Sequence, residues 1–254
     1  MPRAARVTLI AAAVVAGLAL LAAIAFLALP ERTRQKVTDV AGQQQPVARY
    51  APAAPVTVAS TPTGPGIAGL ADASWLDETA KATGIPRRAL AAYAGAAIDK
   101  QQTDPTCGIG WNTLAGVGEI ESHHGTIFGG RITANGDAVP AIFGVDLDGV
   151  GTAHVPDSDG GEFDGDADGD RAVGPMQLIP QAWRNWHGDA NSDGVQNPQN
   201  IDDAVLAASS YLCRAGGDLS TESGWRTAVL AYNASEQYLV DVTRNAVGYA
   251  QDAG

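Results

Sequence analysis

Residues 7–29 (VTLIAAAVVAGLALLAAIAFLAL) run for 23 positions without a charge, and no other feature constrains the chain so strongly. A helix of that length crosses the ~30 Å hydrocarbon core of a bilayer, so residues 1–29 read as a single transmembrane anchor. Arg3 and Arg6 precede the run, and Arg32, Arg34 and Lys36 follow it. With cations on both sides, charge does not fix the orientation. The alternative is a cleaved signal peptide. Against it, the run exceeds the usual apolar core of a signal, and no Ala-x-Ala site closes it. Both readings place the rest of the chain outside the cytoplasm, either held at the cell membrane or secreted.

Residues 30–72 contain QQQPVARYAPAAPVTVASTPTGPGIAG, rich in Pro, Ala, Gln and Thr. Taken alone, such a stretch buries too little apolar area to offset its ordering entropy, and it reads as a flexible tether. A tether behind an anchor holds a domain away from the membrane, which suits a target in the cell wall. Residues 73–254 then form one domain, ample for a single core. That part carries 10 Lys+Arg against 25 Asp+Glu, a net charge of −15. Such an acidic balance argues against a nucleic-acid partner, because phosphate binding needs clustered Lys and Arg. Cys107 and Cys213 are the two cysteines. In an oxidising compartment they are expected to form a disulfide, two buried thiols being the alternative.

Apolar residues recur at helical spacing over 75–83, 86–99, 112–122, 180–186, 202–214, 225–232 and 235–250. Leu90, Tyr93, Ala94 and Ala97 share one face, with Pro86 in the first turn, where proline is tolerated. No set of alternating strands supports a sandwich or barrel. The domain is therefore expected to be mainly α. A long Gly/Asp-rich insertion over 123–170 interrupts it, with room for a small hairpin.

The chemistry begins at Gly118-Glu119-Ile120-Glu121-Ser122-His123-His124-Gly125. On a helix the two carboxylates project about 200° apart, so they cannot both face one cleft. Glu121 ends the helix beside Leu114 and Val117, where partial burial raises a carboxyl's pKa and suits it to act as a general acid. Ser122 is placed to hydrogen-bond nearby. Adjacent on the chain, His123 and His124 are expected to point to different faces, which argues against a paired metal site, and His154 and His187 read as solvated. Farther on stand Gly174-Pro175-Met176-Gln177-Leu178-Ile179-Pro180 and Ala231-Tyr232-Asn233-Ala234.

Taken in order, these motifs make residues 80–250 resemble the lysozyme-like lytic murein transglycosylases, and among them the membrane-bound type B enzymes. The Glu121 segment is similar to that family's E-T-R-W-G, and residues 174–180 to its G-M-P-Q-F-M-P. His123 and His124 depart from the family's Arg-Trp. The resemblance implies a goose-type lysozyme-like fold with Glu121 as the single catalytic acid/base. It implies that Gln177, Tyr232, Asn233 and Tyr238 line a cleft for peptidoglycan glycan strands. The product would be a 1,6-anhydro-N-acetylmuramic acid end.

Asp189-x-Asn191-x-Asp193-Gly194 repeats the front half of an EF-hand loop. Position 12 is Asn200, so the bidentate glutamate is missing. The related family closes its loop three residues later, which here is Asp203, and that set implies a structural Ca²⁺. A second acidic run, Asp164, Asp166, Asp168 and Asp170, has similar spacing without a closing acid. The chemistry itself requires no cofactor. Two alternatives remain open: a hydrolytic muramidase using a second carboxylate such as Asp157, Asp159 or Glu162, and a non-catalytic, calcium-dependent wall-binding module.

Overall fold

A computed structural model describes residues 48–254 apart from 148, 150, 151 and 153. The expected anchor at 7–29 lies outside the described residues. Among the described residues no helix is long and apolar enough to cross a membrane.

Seven α-helices carry the domain: α1 (Ala73–Thr83), α2 (Arg87–Thr103), α3 (Trp111–Ser122), α4 (Pro180–Trp186), α5 (Ile201–Gly216), α6 (Glu222–Tyr232) and α7 (Glu236–Asp252). Side chains cap several of them. Asp72 accepts the N–H groups of Ser74 and Trp75 at the start of α1, Asn200 caps α5, Thr221 caps α6 and Ser235 caps α7. Each cap satisfies a donor that a helix start leaves unpaired. The mainly helical expectation holds, and each helix falls within a few residues of its sequence pattern.

Helix α2 runs through the centre, buried at every position from Ala89 to Ile98. Its small side chains let α3 and α5 pack against it. Helix α3 lies antiparallel along α7. Asn112 Nδ2 donates to Ala246 O at 3.1 Å, and Gly116 packs on Val242 and Ala246. At the other end Glu121 meets Tyr238. Trp111, Trp183 and Trp225 are fully buried. An indole N–H inside a core needs an acceptor. Trp225 donates to Thr113 Oγ1 at 2.9 Å, and Trp111 donates to Pro55 O at 3.0 Å. The Cys107–Cys213 disulfide forms, tying the entry to α3 to α5 across 106 residues.

The folded body begins earlier than position 73. Residues 48–254 form one compact unit. Within it, residues 48–71 are a strap packed on the helices rather than a free tether. Ala51 is 1% exposed. Asn112 Nδ2 donates to Pro52 O, Asn112 Oδ1 accepts Ala54 N, and Val58 bridges Ala71. The core supplies buried polar partners that the segment lacks on its own. Its prolines also lower the entropy lost on ordering.

The Gly/Asp-rich insertion contains the small hairpin, β1 (Arg131–Ile132) with β2 (Ala138–Val139). Beyond it, aspartates fold the loop by accepting nearby backbone N–H groups. Asp157 takes Asp159 N and Gly160 N, Asp159 takes Phe163 N, and Asp164 takes Arg171 N. Phe163 packs edge-on against Trp183, 6.4 Å between centroids, which fixes the insertion to α4.

Candidate active site

Three elements meet around Glu121. The last turn of α3 supplies Glu121 and Ser122. The junction of α6 and α7 supplies Tyr232 and Tyr238. A tight turn over 173–178 supplies Gln177, closed by a bridge between Val173 and Leu178 and by Gln177 N donating to Gly174 O at 3.0 Å.

That turn is clamped by two hydroxyls. Ser122 Oγ donates to Pro175 O at 2.6 Å, and Tyr232 Oη donates to Met176 O, also at 2.6 Å. Ser122 is fully buried and its Oγ also accepts Gly125 N. Gly174 lets the turn close. Its φ is +73°, and a Cβ there would stand 1.8 Å from Pro198 O. Gln177 sits in the left-handed region at φ 48°, its amide folded back to donate to Gly174 O. Backbone strain of this kind persists only where the surroundings impose it.

Glu121 is partly buried, and Tyr238 Oη donates to its Oε1 at 2.5 Å. Burial raises the carboxyl from an ordinary 4.5 to about 7, and the Tyr238 bond pulls the other way. Tyr238 is itself only 6% exposed. Burial, and then the charge of Glu121, push both Tyr232 and Tyr238 well above the usual phenol range, so they stay protonated donors. The group can release a proton near neutrality, take one back, and be held by one donor in both states.

Of the expected cleft residues, Tyr238 contacts Glu121 directly. Tyr232 lies within range of its charge with the hydroxyl committed to Met176. Gln177 shares a wall with Tyr232 in a cavity of about 170 Å³ that also includes Leu178, Ala182 and Tyr211. Asn233 is exposed at the end of α6, its backbone N–H capping that helix. Tyr211 escaped the sequence reading. Its ring stands edge-on to Tyr232 at 5.7 Å and its hydroxyl donates to Ala231 O at 2.7 Å. Nothing in its local sequence distinguishes it from an ordinary helix aromatic.

Glu119 faces away from Glu121, toward His123 and His124 at 3.2 Å each. His123 is exposed and His124 is buried, but both rings approach the one Glu119 carboxylate instead of pointing apart, and His154 and His187 are exposed. A separate polar cavity of about 560 Å³ lies between the strap and the hairpin, walled by Arg88, Asn135, Asp137 and Asp202, without Glu121.

The proposed calcium ligands form a hydrogen-bonded loop. Asp189 accepts Asp193 N and Gly194 N, Asp193 accepts Val195 N and the Asn191 amide, and Asp203 accepts Ala190 N and Asn197 N. Burial raises Asp203 to about 6 against the pull of those N–H groups. Each carboxylate oxygen of the set accepts at least one N–H, so the loop is built of linked turns. Among the described residues, the three acidic groups whose oxygens gather within 4.8 Å are Asp157, Asp159 and Asp170. Asp170 there is occupied by Ser158, at 2.8 Å from its N and 2.7 Å from its Oγ.

No family model, curated protein or solved structure matches this chain. The chemistry of the site rests on its own geometry.

Proposed function

We propose that the protein is a peptidoglycan lytic transglycosylase with a lysozyme-like catalytic domain, exported and working on the cell wall. The observation that carries this is Glu121, raised to about 7 by burial and held by Tyr238 beside the clamped Gln177 turn. A general acid is most effective when its pKa lies near the working pH.

On this reading Glu121 first gives its proton to the glycosidic oxygen as the C1–O bond between N-acetylmuramic acid and N-acetylglucosamine breaks. The resulting carboxylate takes the proton of the muramoyl 6-hydroxyl as that oxygen bonds to C1. The ring closes to the 1,6-anhydro sugar, no water is consumed, and Glu121 ends protonated. One carboxyl suffices, because the attacking hydroxyl belongs to the substrate and has a high effective concentration. A hydrolase of the two-carboxylate kind needs its partner at a defined separation. Glu119, the nearest acid in sequence, is turned to the histidines instead. Tyr211, Tyr232 and Gln177 offer aromatic faces and an amide to the sugar rings. Calcium takes no part in these steps.

The test is product analysis. The full chain in detergent, incubated with isolated peptidoglycan, is expected to release 1,6-anhydromuropeptides detectable by mass spectrometry, and Glu121→Gln to release none. Reducing-end products would favour the muramidase. Glycan binding without turnover would favour the wall-binding module.

A further inference from the structure

His124 is a buried titratable residue that the proposed chemistry does not use. It follows Glu121 by three positions and is 4% exposed. Its ring is held on every side. Nδ1 lies 3.1 Å from Tyr93 Oη of α2. Nε2 lies 3.0 Å from Tyr249 Oη of α7 and 3.2 Å from Glu119 Oε2 of α3. His123 faces the same Glu119 carboxylate from the solvent side. Tyr93 is wholly buried, and Nδ1 is the one acceptor described for its hydroxyl. Tyr93 therefore donates, Nδ1 carries no proton, and Nε2–H donates to Tyr249 Oη with the Glu119 carboxylate beside it. Gly118 makes room for this, since a Cβ there would stand 2.0 Å from Tyr93 Oη.

The backbone explains what the ring is for. His123 and His124 both sit in the left-handed region, at φ 49° and 57°. Such a conformation is strained for residues other than glycine. The turn they form closes α3, with His123 N donating to Glu119 O and His124 N to Gly118 O. Ser122, the Pro175 clamp and Glu121 all belong to the helical turn that this closure protects. Without an anchor, two strained residues in succession would relax, the last turn of α3 would fray, and water would reach Glu121.

We propose that His124, as the neutral Nε2–H tautomer, is a positioning residue that pins the left-handed closure of α3 and so keeps Glu121 half-dry. This rests on the reading of Glu121 as the acid. Burial lowers the His124 imidazole from 6.5 to about 4 against the pull of Glu119, with His123 adding to the lowering. The neutral form is thus the one present at working pH.

The chain has seven glutamates, so ¹³C-labelled Glu in the full protein gives a tractable carboxyl titration, with Glu121→Gln assigning the signal. In His124→Leu the Glu121 midpoint is expected to fall from about 7 by at least about one pH unit, a tenfold change in proton affinity, with helical content retained. His124→Gln, which can both donate and accept, is expected to keep most of the elevation. Should His124→Leu fail to fold, Tyr249→Phe removes a single hydroxyl from the half-buried partner and is expected to lower the midpoint by a smaller amount. ¹⁵N spectra of the parent should show Nδ1 unprotonated at neutral pH. An unchanged Glu121 midpoint in the folded variants, or a proton on Nδ1, overturns the role of His124. A parent that releases no anhydro sugar instead overturns the enzymatic reading, whichever way Glu121 titrates.

Discussion

A carboxyl that must ionise partway through its work sits uneasily in a dry site, and Glu121 shows the consequence as a pH dependence of stability. Its folded pKa is raised, from 4.5 to about 7. The stability it contributes is fully present below 4.5 and is lost as pH rises through about 7. Glu121→Gln is therefore expected to be more stable than the parent at pH 8, by on the order of 1–3 kcal/mol, and equal to it at pH 4.5. Thermal melts of both proteins at the two pH values check this. His124 works in an overlapping window with the opposite sign. Its pKa is lowered from 6.5 to about 4, so its contribution is lost as pH falls across that interval. Comparing single variants at one pH separates the two. At this scale the burial of Glu121 was legible, because an acid at a helix end beside Leu114 and Val117 has a physical reason to be half-dry. It hid the ring of partners around His124, since Tyr93 and Tyr249 come from helices 31 and 125 residues away.

The turn at 173–178 carries the site at the level of elements. Glycine at 174 answers two demands at once, a positive φ and the closeness of Pro198 O. Gly174→Ala is expected to lower unfolding stability by about 2–4 kcal/mol, read by chemical denaturation, and to slow product release with it. The helices themselves were legible, because apolar spacing acts over three or four positions. A Gly-Pro step of this kind favours a turn. What held that turn against α3 was not legible. Ser122 and Tyr232 reach it across 53 and 56 residues, and no local pattern encodes such a pairing.

The strap and the disulfide decide what belongs to the body of residues 48–254 and how it is closed. Composition alone assigned 30–72 to a tether, yet from Ala48 the chain is part of the body. Trp111 and Asn112 are fully buried, and their polar atoms are satisfied largely by Pro52, Ala54 and Pro55. A chain starting at 73 loses the acceptor of Trp111 Nε1 and the donor to Asn112 Oδ1, leaves Asn112 Nδ2 with Ala246 O alone, and uncovers the apolar face beneath the strap. It is expected to melt well below one starting at 48, as calorimetry of the two would show. Whether a polar, proline-rich segment orders depends on what the core offers it, which the segment's own residues do not record. All of this structure converges on one carboxyl, and the pH dependence of turnover examines that carboxyl directly. The rate of anhydro-sugar release by the parent should fall away above pH about 7, as Glu121 loses the proton it must donate, and Glu121→Gln should show no rate at any pH. A rate that stays level to pH 9, or turnover that survives in Glu121→Gln, would contradict the account.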